Sequence, residues 1–222
     1  MTWFNSTAGK SLLELEASIV QSFLEEKFGY YALQINFAEF NFLSTSRIKN
    51  HLFSDGNRKN IDFLVEALPF DSDSLDLVVC PHLLEQIKDK QQFFDELYRI
   101  VIPNGYCLLW SFNPFSFAGI RHSVGFDNNF PWNSNFMSSS FCQQLLKSRG
   151  FVIEEAKIFN YQPIFFDDKD FYLPFFESIG DRWFPLLGNV YCILARKDVP
   201  GMTPIKPKWK KEKSTRAVTN KT

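Results

Sequence analysis

The sequence predicts an α/β protein with a parallel sheet, and three consecutive segments carry this prediction. Residues 75–79 form a short apolar run that is interrupted only by Asp76 and bounded by turn formers, which is typical of a buried strand. Residues 93–101 place apolar side chains at helical spacing, the turn sequence 103–105 should end this helix, and residues 106–110 form a second apolar run. A strand, a helix and a strand in this order form a right-handed crossover, so the two strands should lie parallel in one sheet.

The first third of the chain is predicted to contain one helix and three strands. Apolar residues recur at helical spacing from Ala8 to Phe28, with Thr7 as a candidate cap and Gly29 as the stop. The predicted strands cover residues 30–37, 48–53 and 61–68. This helix should pack on the sheet.

The last third is predicted to contain a helix over residues 138–148, ended by Gly150, and strands over residues 151–159 and 189–196. Between these strands, residues 160–187 carry many aromatic side chains among acids and prolines. A connection of this length usually has a function or covers something. It is either a lid packed on the domain or an apolar surface for an acceptor or a partner.

The composition is that of a single domain with one strongly basic end. The chain has 222 residues and a formal net charge of −1, whereas residues 196–222 hold nine Lys or Arg and two Asp or Glu, a net charge of +7. The end of the chain is either a solvated tail or a basic arm that touches nucleic acid or an anionic membrane surface.

The cysteines and the hydropathy pattern point to a reduced, cytoplasmic protein. Cys80, Cys107 and Cys192 lie in apolar strand-like runs and Cys142 lies on a helix, without CxxC spacing, so core packing is favoured over a disulfide or a metal site. No run reaches the length of a membrane-spanning helix, and the sequence begins without the basic-then-apolar pattern of a signal peptide.

Five short motifs between Leu68 and Gly105 resemble, in their order and spacing, those of class I S-adenosylmethionine-dependent methyltransferases of the type 11 group. The motifs are Leu68-Pro69-Phe70, Ser74-Leu75-Asp76-Leu77-Val78, His82-Leu83-Leu84-Glu85, Glu96-Leu97-Tyr98-Arg99 and Pro103-Asn104-Gly105. Two departures are visible: Gln86 stands where the family usually has His, and Asn104 replaces the first Gly of Pro-Gly-Gly.

The resemblance implies a Rossmann-like, doubly wound and mostly parallel sheet of seven strands. The last strand should be antiparallel, and some helices should be shortened or missing because few residues separate the first strand from Leu68. The implied organisation is an N-terminal helix (1–29), a methyltransferase-like domain (30–197) with an aromatic-rich insertion (160–187), and a basic, partly disordered tail (198–222).

A second set of matches resembles a bacterial subfamily of methyltransferase-like proteins whose first loop is poor in glycine. The matching segments are Phe112-Asn113-Pro114, Gly119-Ile120-Arg121, Ser46-Arg47-Ile48 and the run from Gly201 to Lys210. In the wider family the first strand ends in a glycine-rich loop that lets the backbone approach the methyl donor.

The resemblance places the donor, S-adenosylmethionine, against this first loop. Gln34 takes the place of the acid that precedes the first glycine, and Asn36, Ala38 and Phe40 take the three glycine positions. Gln34, Asn36 and Ala38 are therefore implied to contact the donor. Asn36 can adopt a left-handed conformation, whereas Phe40 imitates glycine poorly.

Further donor contacts are implied after the later strands. Asp55 either grips the ribose hydroxyls or is a plain turn residue. Glu66 is the acid nearest to the position that contacts the adenine amino group in the family, and Ala67 and Leu68 follow it at the same strand end.

Cys80, Pro81 and His82 should lie at the carboxyl end of the sheet, where ligands bind in open α/β folds. His82 is either a pocket residue and the candidate catalytic base, or a helix-start residue with satisfied hydrogen bonds. Asp76 is a poorer candidate base, because its place within a strand indicates a structural role.

Three functions remain open from the sequence. The first is a methyltransferase that transfers the methyl group of S-adenosylmethionine to a small-molecule or lipophilic acceptor, chiefly by holding the two reactants in line. The second is a non-catalytic scaffold that has the fold but no longer binds the donor. The third is a factor that contacts nucleic acid or a membrane surface through its basic tail.

Overall fold

In a computed structural model of the protein, a six-stranded mixed sheet lies at the centre of the described residues. The structure describes residues 3–37, 39–54, 67–124, 131, 134–162 and 186–199. The strands are β1 (Tyr31–Ile35), β2 (Asn50–Ser54), β3 (Leu75–Pro81), β4 (Val101–Phe112), β5 (Phe151–Phe159) and β6 (Val190–Lys197). The helices are a short 3₁₀ turn η1 (Trp3–Asn5), α1 (Thr7–Leu24), α2 (Lys90–Ile100), α3 (Phe117–Val124) and α4 (Ser139–Ser148).

The spatial order of the strands is β2-β1-β3-β4-β6-β5. Strands β2, β1, β3 and β4 pair with one another in parallel, so the predicted crossover from β3 through α2 to β4 is confirmed. Strand β6 runs antiparallel to both β4 and β5, which confirms the antiparallel last strand and its pairing with the preceding strand at the edge of the sheet.

The predicted total of seven strands is not confirmed. Six strands are present among the described residues, and most of the predicted strand 61–68 lies outside them. The described helices are few and short after α1, as the resemblance implies.

Three predicted boundaries were wrong. Helix α1 ends at Leu24 with Glu25 as its C-cap, and it does not extend to Phe28 with Gly29 as the stop. Ser6, and not Thr7, caps α1, because the Ser6 hydroxyl accepts a hydrogen bond from the Gly9 amide. Helix α2 ends at Ile100, because Val101 already has an extended backbone, and Pro103–Gly105 lies inside β4 instead of ending the helix.

Helices cover both faces of the sheet. The apolar side of α1 packs with Leu77, Val79, Leu108 and Trp110 on one face, whereas α2 and α4 pack with the alternate residues of the same strands on the other. Asp76 has the structural role predicted for it, since its carboxylate accepts hydrogen bonds from the Tyr30 and Tyr31 amides at the start of β1. None of the described helices combines the length and the apolar character needed to cross a membrane.

Candidate functional site

The parallel strands β1, β3 and β4 end side by side, at Ile35, Pro81 and Phe112. In open α/β sheets, ligands bind in the crevice outside these carboxyl ends. The residues that follow the three strands therefore define the candidate site.

The loop after β1 has the backbone shape of a glycine-rich turn although it contains no glycine. Asn36 and Phe37 have positive φ angles of 80° and 52°, a region that non-glycine residues seldom occupy. The buried Gln34 side chain stabilises the loop: its amide nitrogen donates to the Asn36, Phe37 and Phe40 carbonyls, and its amide oxygen accepts from the Phe42 amide.

Asn36 joins the ends of three strands. Its amide side chain donates to the carbonyl oxygens of Pro81 and His82, at 2.9 Å and 3.3 Å, and its backbone amide donates to the Ser54 carbonyl at the end of β2. These bonds use the donors of Asn36 and leave its side-chain oxygen without a hydrogen-bond partner among the described residues.

His82 follows β3 and is fully buried in a charged network. Its Nε2 lies 2.8 Å from Glu16 Oε1 and its Nδ1 lies 3.0 Å from Glu85 Oε1. Burial lowers the pKa of His82, but the charge of Glu16 and the hydrogen bonds with Glu16 and Glu85 outweigh burial and raise the pKa to about 10. His82 is therefore a protonated imidazolium at neutral pH and donates both of its N–H groups.

Each of the two acidic side chains around His82 keeps one oxygen that can accept a further hydrogen bond. Glu85 Oε1 also accepts from the Phe112 amide at 2.9 Å, which ties the network to the end of β4. Glu16 Oε2 and Glu85 Oε2 are buried and have no hydrogen-bond partner among the described residues. These two oxygens are buried acceptors, so the network can accept a further hydrogen-bond-donating group.

Aromatic rings surround this network. The Phe4 ring centroid lies 5.1 Å from that of His82 and 4.7 Å from that of Phe37. The Phe112 ring lies 4.5 Å from His82 on the side of β4, and Phe136 stacks on Phe112. The charged groups are thus enclosed by apolar surface, where electrostatic interactions are stronger than in water.

The structure brings only some of the predicted site residues together. Gln34, Asn36, Pro81 and His82 meet at the carboxyl end of the sheet, as described above. Cys80 lies on the opposite face, in the core with α2 and α4, where burial raises the pKa of its thiol well above the ordinary value. Ala38, Asp55 and Glu66 lie outside the described residues.

Ala67 and Leu68 precede β3, and Leu68 contacts α2. Ala67 is exposed, whereas Leu68 is buried. The Leu68 amide donates to Glu96 Oε2 and its carbonyl accepts from Arg99, so the backbone of Leu68 is held by α2. For all of these residues, contact with a methyl donor stays a prediction.

Sequence reasoning missed two residues of the site. Glu85 was recognised as part of a motif but was given no role. Glu16 was not considered, although it interrupts the apolar stripe of α1, one turn from Leu12 and Val20, and a charged residue on such a stripe indicates a buried partner.

Comparisons with known proteins identify the class of this fold. Residues 29–109 match the model of the methyltransferase domain family. An S-adenosylmethionine-dependent methyltransferase of Thermotoga maritima, described as a possible histamine N-methyltransferase, superposes with a TM-score of 0.60 at 19% identity over 84% of this chain and 89% of its own. A methyltransferase of Archaeoglobus fulgidus gives a TM-score of 0.58 at 17% identity over 83% and 94% of the two chains.

The uncharacterized protein YafS of Escherichia coli (strain K12) is 27% identical over 157 residues, which are 68% of this chain and 61% of YafS. The chain thus spans less than two thirds of this relative. Together with the sheet order, the structural matches show that the described part of the chain has the class I methyltransferase fold.

Proposed function

We propose that this protein transfers a methyl group from S-adenosylmethionine to a small, apolar acceptor. The observation that carries the proposal is the buried network of His82, Glu16 and Glu85 at the carboxyl ends of β1, β3 and β4. Its unpartnered acceptor oxygens lie in a fold that S-adenosylmethionine-dependent methyltransferases share. S-adenosylmethionine, when bound, supplies an electrophilic methyl group on a positively charged sulfur.

The described residues fit such a cationic ligand. The free oxygens of Glu16, Glu85 and Asn36 are buried acceptors at one end of the sheet, and the ammonium group of the donor would supply the hydrogen bonds that they lack. The left-handed backbone at Asn36 and Phe37 keeps the loop in the shape that glycine usually provides.

In this arrangement His82 positions the side chains of Glu16 and Glu85 and does not transfer a proton. A protonated imidazolium with both N–H groups donated cannot accept a proton from an acceptor molecule. It fixes Glu16 and Glu85 and, through Glu85, the Phe112 amide at the end of β4. The rate gain would then come from holding donor and acceptor in line.

Calorimetric titration with S-adenosylmethionine and S-adenosylhomocysteine tests the proposal. Wild-type protein should bind both ligands, and Glu85→Gln, which keeps the shape of the side chain but removes its charge, should bind about tenfold more weakly, a loss of about 1.4 kcal/mol. Glu14→Gln, on the exposed side of α1, is the matched control and should leave binding unchanged. No heat at millimolar ligand from any of these proteins would overturn the enzyme proposal.

One observation favours a second function, a non-catalytic scaffold. Gln34 occupies the position of the acid in the family motif, yet both ends of its side-chain amide are used within its own loop. A scaffold needs this ordered loop and no donor. The same titration discriminates the two functions, because only the enzyme gives a binding signal.

Further parts of the proposal follow from the sequence alone. We place the protein in the cytoplasm, and we assign an acceptor-binding role to the aromatic-rich insertion (160–187) and a phosphate-contacting role to the basic tail (198–222). Residues 163–185 and 200–222 lie outside the described residues. Salt-sensitive association with nucleic acid or anionic vesicles that disappears when the tail is removed would support the role of the tail.

A further inference from the structure

The turn η1 lies at the carboxyl end of the sheet, in the space where the proposed ligand would bind. Trp3 and Phe4 are both buried, with 5% and 3% of their surfaces exposed. The Phe4 ring contacts Phe37 after β1 and His82 after β3, and the Trp3 ring centroid lies 6.0 Å from that of Phe112 at the end of β4. One short turn therefore touches the ends of all three strands that border the crevice.

The position of η1 depends on a turn of the chain at Ser6, which places residues 3–5 against the start of α1. The Trp3 carbonyl accepts hydrogen bonds from the amide and the hydroxyl of Ser6, and the same hydroxyl caps α1. Gly9 lets η1 lie directly against the helix: a Cβ at this position would stand 2.4 Å from the Trp3 carbonyl oxygen and 2.5 Å from Phe4 Cα. Both are backbone atoms, so no side-chain rotation could relieve the contact.

The packing of the rest of α1 does not depend on the position of η1. Its apolar residues from Leu12 to Leu24 pack on the face of the sheet, in a core that includes Leu77, Leu108 and Trp110. Residues 3–5 can therefore leave the carboxyl end of the sheet while α1 remains in place, with the hinge at Ser6.

We infer that η1 is an autoinhibitory plug: Phe4 and Trp3 occupy the donor crevice, and η1 must swing away about Ser6 before a ligand reaches Asn36, Glu16 and Glu85. This inference rests on the proposed function. A site that is closed most of the time binds with an affinity reduced by the fraction of molecules that are open, so the plug sets the donor affinity without any contact with the donor.

Gly9→Ala is the sharpest test, because it displaces η1 without weakening α1. Alanine has a higher helix propensity than glycine by about 1 kcal/mol, whereas its Cβ would clash with the backbone of Trp3 and Phe4 when η1 packs against the helix. We expect Gly9→Ala to bind S-adenosylhomocysteine about tenfold more tightly than wild type, equivalent to about 1.4 kcal/mol. Phe4→Ala, which removes the ring but leaves the turn, should also bind more tightly.

The matched control is Ser11→Ala, which raises helix propensity at an exposed position of α1. Among the described residues, no hydrogen bond joins Ser11 to η1. It should bind as wild type does. Equal affinities of wild type, Gly9→Ala and Phe4→Ala, with unchanged circular dichroism, would overturn the plug and leave the proposed function standing. Absence of binding in every variant would overturn both.

Hydrogen exchange of the wild type provides the second readout. Saturating S-adenosylhomocysteine should speed amide exchange at Ser6 and Lys10, whose amides donate to the Trp3 and Ser6 carbonyls, while the amides of residues 16–24 keep their protection. Unchanged or slower exchange at Ser6 on ligand binding would contradict the inference.

Discussion

Glu16 and His82 are 66 positions apart in the sequence, yet their side chains meet at 2.8 Å with no exposure to solvent. Such a buried pair is weak evidence for stability by itself, because desolvation opposes the attraction of the charges. Removing Glu16 is costly, since the buried imidazolium of His82 then loses one of its two carboxylate partners and its Nε2–H group loses its acceptor. This asymmetry makes Glu16 the residue whose substitution reports most clearly on the network.

Glu16→Ala should lower the free energy of unfolding by about 3–5 kcal/mol, the range for breaking a buried ion pair. Urea unfolding followed by circular dichroism measures this change. Glu14→Ala, two positions away on the exposed side of α1, is the control and should change stability by no more than about 0.5 kcal/mol. Equal effects of the two substitutions would show that the contact of Glu16 with His82 contributes nothing.

The charge of His82 should make stability depend on pH above neutrality. Because the pKa rises from 6.5 to about 10 on folding, the folded state holds this proton more tightly than the unfolded state. The stabilisation is then complete below pH 6.5, declines as the pH rises, and is lost at about pH 10.

Urea unfolding across this range should show a steeper loss of stability in wild type than in His82→Gln. Two-dimensional NMR of the imidazole would assign the titration directly. Parallel pH profiles for the two proteins would contradict a charged His82 in the folded state.

At the scale of elements, the loop after β1 shows how a degenerate motif can keep its conformation. Glycine allows positive φ angles without strain, whereas this chain reaches them with Asn36 and Phe37 and stabilises them through the Gln34 side chain. The amide of Gln34 must donate at one end and accept at the other, so a carboxylate cannot replace it.

Gln34→Glu restores the acid of the family motif and should nevertheless destabilise the protein by about 1–3 kcal/mol, because it would direct a carboxylate oxygen at the backbone carbonyls of Phe37 and Phe40. Differential scanning fluorimetry with and without S-adenosylhomocysteine measures the effect. Gln21→Glu, at an exposed position of α1, is the control. A stabilised Gln34→Glu protein would contradict this account of the loop.

At the scale of the whole molecule, the elements of the fold were largely predictable and the site only partly so. Period-two and helical patterns reflect local geometry, so β3, α2, β4, α4, β5 and β6 were found near their observed positions. The end of α2 was misplaced because Val101 can continue a helix or begin a strand, and the packing of β4 decides between the two.

The site was harder to predict because it depends on contacts between distant segments. The order of strands in a parallel sheet brings Gln34, Asn36, Pro81 and His82 to one end, and this followed from the predicted topology. The sequence gives only one indication of the contact between α1 and His82 and of the packing of η1 over the strand ends. This indication is a glutamate on the apolar stripe of α1. The need for a glycine at position 9 is likewise visible only in the structure, where the backbone of η1 packs directly against Gly9.

A crystal structure of the protein grown with S-adenosylhomocysteine tests the central claim most directly. The account predicts ligand density at the carboxyl ends of β1 and β3, with polar contacts to Asn36 and Glu85 and with Phe4 displaced from His82. A ligand bound elsewhere, or a site in which Phe4 still rests on His82 and no ligand is present at saturating concentration, would contradict it.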